Sequence, residues 1–325
     1  MPRDERTAYA RDHSPEKIMR SPAPPTPAQE RRLAGIALRV AAVTAFAVLA
    51  AAIKLSSARD VSLAEIMFAR NAFAMPLIVG WIAAGPGRAA LRTRRPAAHV
   101  IRAALGLGSM ALNFGAIILL PLADATAIGF SAPLFATLLS ALLLGEAVGP
   151  HRWAAVALGF VGVVVVMQPG GSAIPPLGLA MAIVAALGVG TVNITLRQIS
   201  ATEGVATTVF WFTAAGLVVG ALLMPFFATA HDPATWGLMI VIGLAGGVAQ
   251  ICLTGSLRLA PVAVVAPFDY VQLLWASLLG WAIWATHPTP HMAAGAALIV
   301  ASGLYTLYRE HLFHRERLPA TPPEG

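Results

Sequence analysis

Asp269 lies inside an apolar run, from about Val262 to Trp284, that is long enough to cross a bilayer. An acid near the middle of such a helix costs roughly 2.5–3.5 kcal/mol on insertion scales, so it is expected to face a cavity or a partner rather than lipid. Gln272 and Trp275 follow at helical spacing and extend the same face, with Tyr270 adjoining. Facing a cavity, Asp269 would bind a cationic group of a substrate or carry a coupling proton. A second constellation is Ala64-Glu-Ile-Met-Phe-Ala-Arg-Asn71. Arg70 falls about a third of the way into its apolar run, too deep to snorkel fully, and needs an anionic partner from the protein or from a ligand. Glu65 is five positions away and on a different face, hence a poor intrahelical partner. Glu65 joins Asp269 as a candidate coupling acid, and Asn71 joins Arg70 as a candidate substrate contact.

Asn113, Asn193 and Gln250 interrupt three further apolar runs, each available to another helix or to a substrate. Trp211 and Trp275 are deep enough to stack on a ligand, whereas Trp81, Trp153, Trp236 and Trp284 fall near run ends as interface anchors. Arg39 and Lys54 are close enough to the ends of the first run to reach the interface. Gly216/Gly220 and Gly243/Gly247 read as packing seams.

The elements that must position these side chains are membrane helices. The chain of 325 residues is 58% hydrophobic and 11% charged, against about 25% charged for a soluble domain. Its formal charge of +7 sits in short loops and tails, where it sets membrane orientation, so nucleic acid is not an expected partner. Cys252 is the only cysteine, which excludes an intrachain disulfide. Ten spans are expected, at 33–53, 61–84, 98–119, 124–144, 152–168, 176–197, 205–228, 234–256, 262–284 and 291–308. Residues 1–32 read as a disordered cytoplasmic tail, with Met19 an alternative start, and 309–325 as a second cytoplasmic tail. Arg31, Arg88, Arg92, Arg94, Arg95, Arg152, Arg197, Arg258 and Arg309 all fall on one side of a ten-span chain, which places both termini in the cytoplasm of a multi-pass inner (plasma) membrane protein.

Two stretches are alike. Leu120-Pro-Leu-Ala-Asp-Ala-Thr-Ala-Ile-Gly-Phe-Ser-Ala-Pro-Leu-Phe leads into an apolar helix ending Gly145-Glu146, and Leu257-Arg-Leu-Ala-Pro-Val-Ala-Val-Val-Ala-Pro-Phe-Asp-Tyr leads into one ending Gly280-Trp281. They fall at spans four and nine, each with an interior proline (Pro133, Pro267). A five-helix unit repeated once must insert in opposite senses, the inverted repeat common in secondary transporters.

These two stretches resemble the paired EamA domains of the drug/metabolite transporter superfamily. The resemblance covers about residues 33–308, as a first repeat over 33–168 and a second over 176–308. It implies an all-α bundle of ten transmembrane helices with a central substrate cavity between inverted halves. Members similar around Arg70-Asn71 and Pro267-Phe-Asp-Tyr270 include carriers of amino-acid-like metabolites, riboflavin and metallophores. One departure is Trp281, which stands where the family usually has a glutamate like Glu146.

The expected function is a secondary active transporter of a small polar metabolite, working by alternating access. No cofactor is expected, and no Gly-x-x-x-x-Gly-Lys-Ser/Thr loop for ATP is present. The expected partners are the small-molecule substrate and membrane lipids, with the oligomeric state left between monomer and homodimer. The competing reading is an intramembrane lipid-modifying enzyme. Such enzymes cluster histidines or acids near an interface, whereas the eight histidines here are scattered over tails, loops and span ends.

Overall fold

The computed structural model describes residues 27–85, 87–144, 149–167, 175–200, 202–260 and 262–316. Most of the N-terminal tail, the end of the C-terminal tail, Glu146 and the side chains of Arg152, Arg197 and Arg258 lie outside the described residues. Each expected span is helical: α1 (Pro27–Ser57), α2 (Leu63–Ala84), α3 (Pro96–Leu119), α4 (Leu122–Gly129) with α5 (Ala132–Leu144), α6 (Pro150–Met167), α7 (Pro176–Ser200), α8 (Val205–Phe227), α9 (Pro233–Leu259), α10 (Val262–Val265) with α11 (Val271–Trp284), and α12 (Pro290–Glu316). α1 begins six residues before the expected span and α12 runs eight beyond it, so both spans extend into segments expected to be tail.

Among the described residues, seven helices are long and apolar enough to cross a membrane. The ninth span falls short because it is interrupted by the 3-10 turn Ala266–Tyr270. The two interrupted spans, four and nine, both break where a proline removes a donor and crowds the preceding turn. Pro133 forces the break at Phe130 and Ser131, where the Ser131 hydroxyl donates to the Ile128 carbonyl at 2.6 Å. Pro267 sits in the first turn of the 3-10 segment. The two breaks meet: the rings of Phe130 and Tyr270 lie edge to face with centroids 5.1 Å apart.

Starts are set by local chemistry. Ser62 and Glu65 form a reciprocal capping box at α2, and the Asp232 carboxylate caps α9 by accepting from the Thr235 amide at 3.0 Å. α1 packs along α9, α3 along α7, α6 against α12, and α2 against both α8 and α9. Small residues permit the last of these contacts. A Cβ on Gly243 would lie 2.2 Å from the Cβ of Phe73, and one on Gly216 would lie 2.6 Å from the Asn71 amide. The glycine pairs are therefore seams of close helix contact.

Candidate functional site

A cavity of about 400 Å³ lies among α1, α2, α3, α4, α7, α8 and α11. Its walls are largely apolar, with Phe46, Phe114, Phe130, Met110 and Val192 among them. Arg70, Arg102, Ser109, Asn113, Thr126 and Gln272 are its polar lining, and among the described residues no acidic one lines it. Arg70, Asn113 and Gln272 are thus brought together from three separate spans.

Arg102 was not singled out in the sequence, and it is the feature that gives the cavity its character. It lies in the second turn of α3, at a depth comparable to that of Arg70 in α2, and the same argument from depth would have found it. Both arginines are 6% exposed. Their guanidinium carbons stand over the ring of Phe212 at 5.5 Å (Arg70) and 4.5 Å (Arg102). Gly106 makes room for that ring, since a Cβ there would come within 2.8 Å of it. Arg70 donates through Nη1 to the Asn71 side-chain oxygen at 2.9 Å. Arg102 Nε and Nη1 are buried with no hydrogen-bond partner. Among the described residues, no ion pair involves either guanidinium. A cation on an aromatic face gains about 2 kcal/mol when desolvated, which offsets only part of the several kcal/mol that burial of each ion costs. The cavity is left with uncompensated positive charge.

Asp269 has a different place from the one expected. Its carboxylate accepts a two-pronged pair of hydrogen bonds from Arg39 Nε and Nη2, joining α1 to the ninth span. Arg39 is 8% exposed and does not snorkel, because its partner lies inside the bundle. Lys54 likewise turns inward: its ammonium donates to the carbonyls of Ile117, Ile118 and Leu120 and closes the end of α3. The remaining expected residues do not line the cavity. Asn71 is fully buried and donates to the Met67 carbonyl at 2.8 Å, which holds it as an orienting partner for Arg70. Asn193 is exposed and Gln250 half-buried. Tyr270 packs on Phe130. Trp275, three positions after Gln272 and about a sixth of a turn around, and Trp211 are both turned to the outer surface.

Glu65 is also fully engaged. Its Oε2 accepts from the Ser62 amide at 2.8 Å, and its Oε1 meets the Thr229 amide and His231 Nε2, each at 2.8 Å. A comparable contact closes the opposite end of the bundle. Glu203 accepts from the Arg94 amide at 2.8 Å and the Thr93 hydroxyl at 3.0 Å, with His99 Nε2 3.8 Å away. Burial acts to raise the Glu203 carboxyl, but the Arg94 amide and Thr93 hydroxyl outweigh it and hold the group below its ordinary range. Each acid stands at the start of the second helix of one half and grips the loop between the second and third helices of the other.

The description of the EamA-like transporter family matches twice, over residues 33–168 and 176–308. The chain belongs to the EamA-like transporter family. It is 33% identical to a riboflavin transporter of Rhizobium johnstonii over 72% of this chain and 77% of that one. It is 28% identical to the pseudopaline exporter CntI of Pseudomonas aeruginosa, covering 82% of this chain and 94% of that protein. An S-adenosylmethionine uptake transporter of Rickettsia prowazekii is 25% identical over 76% of this chain and 83% of its own. A crystal structure that is 20% identical superposes with a TM-score of 0.57 over 84% of this chain and 98% of its own, a likeness of fold. This EamA-like chain is therefore a multi-pass membrane transporter of a small molecule, and the lipid-modifying alternative is set aside by relatives that are transporters.

Proposed function

We propose that this transporter carries a small polar metabolite across the inner membrane as a secondary active carrier, by alternating access, with both termini in the cytoplasm. The observation that carries the reading is the cavity itself, walled by helices of both repeats and furnished with guanidinium and amide groups from α2, α3 and α11. The candidate substrate classes are riboflavin-like, amino-acid-like and metallophore-like compounds, and the relatives are a riboflavin transporter, a pseudopaline exporter and an S-adenosylmethionine uptake transporter. Arg70, Arg102, Asn113 and Gln272 contact the substrate, while the Asp269–Arg39 pair links the halves.

The inverted arrangement of the two repeats is supported by reciprocal packing. Exchange of the halves turns the α1–α9 contact into the α7–α3 contact and leaves the α6–α12 contact in place. Movement of one half against the other around a fixed cavity follows from that geometry.

Reconstitution into liposomes tests the proposal. Flux of labelled riboflavin, S-adenosylmethionine, amino acids and opine chelators is measured in both directions, under a proton or sodium gradient. The expected result is gradient-driven flux of one class that is lost in Asn113→Leu with the fold retained. Flux of none of them, or flux indifferent to both gradients, would count against a secondary active carrier.

A further inference from the structure

The cavity has an electrostatic imbalance that its own residues do not resolve. Arg102 is nine-tenths buried and lines the cavity, with Nε and Nη1 unpartnered. Arg70 faces the same space, its guanidinium oriented by Asn71, and both stand over the ring of Phe212. The acid expected to receive a cationic substrate, Asp269, is occupied by Arg39. A ligand that enters this space therefore meets positive charge, two amides and aromatic walls.

We infer that the substrate bears an oxyanion, a carboxylate or a phosphate monoester, on an aromatic or apolar body, and that Arg70 and Arg102 receive it. The inference rests on the transport reading above and names the substrate class of that same cavity. A guanidinium presents a planar fork of donors that matches both oxyanions, where an ammonium would act only as a point charge. The unpartnered Nε and Nη1 of Arg102 lie on its two different donor edges, so each edge of that guanidinium has a donor unsatisfied. Phe212 holds the two forks around one ring, so the anion sits at one end of the cavity. The apolar body extends along Phe46, Phe114 and Phe130, and Asn113 and Gln272 are placed to meet polar atoms on it.

The test measures binding without a gradient, on the purified full chain in detergent, by thermal unfolding in a buffer free of other oxyanions. The probes are benzoate, phenyl phosphate and benzamide, each titrated over the same concentration range. Binding to the folded state raises the unfolding temperature by mass action. A rise with benzoate or phenyl phosphate and none with benzamide is expected, and whichever acid acts at the lower concentration identifies the oxyanion. In Arg102→Gln the apparent affinity for that acid falls at least tenfold, while the ligand-free unfolding temperature does not fall, because the lost contact with the Phe212 ring offsets only part of the cost of burying the charge. Arg102→Lys keeps the charge and retains part of the response. Equal shifts by benzoate and benzamide overturn the inference, as does an undiminished acid response in Arg102→Gln. Acid-selective binding in a protein that shows no flux in liposomes would support this inference and count against the carrier. Flux of a neutral compound with no acid-selective binding would do the reverse.

Discussion

The Asp269–Arg39 pair is the contact whose removal has the most definite consequence. Its carboxylate accepts two charge-assisted hydrogen bonds, from Nε and Nη2. Each such bond contributes about 1.5–3 kcal/mol net. Arg39 Nη1 is already buried without a partner, so the guanidinium left by Asp269→Asn has little water to replace what it loses. Breaking a buried pair from one side costs about 3–5 kcal/mol, and Asp269→Asn is expected within that range. Arg39→Met is expected at the lower end, because its 30% exposed partner side chain keeps some water. Combining Arg39→Met with Asp269→Asn strands no charge and should restore most of the loss. The assay is a double-mutant cycle on unfolding in detergent, with a coupling free energy above about 2 kcal/mol expected for two directly bonded groups. Simple addition of the two single losses would refute the pairing and return Asp269 to the cavity.

Other contacts give sharper, smaller expectations. Gly216→Ala places a methyl 2.6 Å from the Asn71 amide, an overpacking that costs about 1–3 kcal/mol, and it should lower the unfolding temperature and weaken acid binding by disturbing the partner of Arg70. Lys54→Met removes the donor to three carbonyls at the end of α3 and should cost about 1–3 kcal/mol; unchanged stability would mean those carbonyls are met by water. Glu203 has a depressed carboxyl, so its contribution is present above the unfolded value of about 4.3 and is lost as pH falls through its lower folded value. Glu203→Gln should flatten the acid limb of the stability profile, and an identical limb in wild type and variant would refute that assignment.

The spans were legible because a bilayer needs about 20 apolar residues in a row, a signal carried within each segment. Pro133 and Pro267 announced the two broken helices for an equally local reason, the missing donor. Partnership was not legible in the same way. Arg39 and Asp269 are 230 residues apart, and nothing in either segment points to the other. From the sequence, Asp269 therefore read as an acid awaiting a ligand and Arg39 as an interface residue. Arg102 was missed although its depth in α3 matches that of Arg70 in α2, and its helix buries it. Gln272 and Trp275 were grouped by spacing alone, and a sixth of a turn was enough to put one in the cavity and the other on the outer surface.

The two end contacts bear on how such a carrier would move. Glu65 holds Thr229 and His231 at one end, and Glu203 holds Thr93 and Arg94 at the other. Exchange of the halves relates them, because each acid opens the second helix of its own half and binds the loop after the second helix of the other. The proposed insertion of the repeats in opposite senses would produce its end contacts in such pairs, one on each face. Opening the cavity toward either face requires the contact there to part while the other holds. The pairs are not equal in strength: His231 is within hydrogen-bond distance of Glu65 at 2.8 Å, whereas His99 stands 3.8 Å from Glu203. The end at which α1 begins and α12 finishes has the Arg39–Asp269 pair besides, so its weaker loop contact is backed by a second link between the halves. Weakening that pair should therefore shift the balance between the two openings as well as lower stability, and the energetic cost and the transport phenotype of Asp269→Asn share one origin.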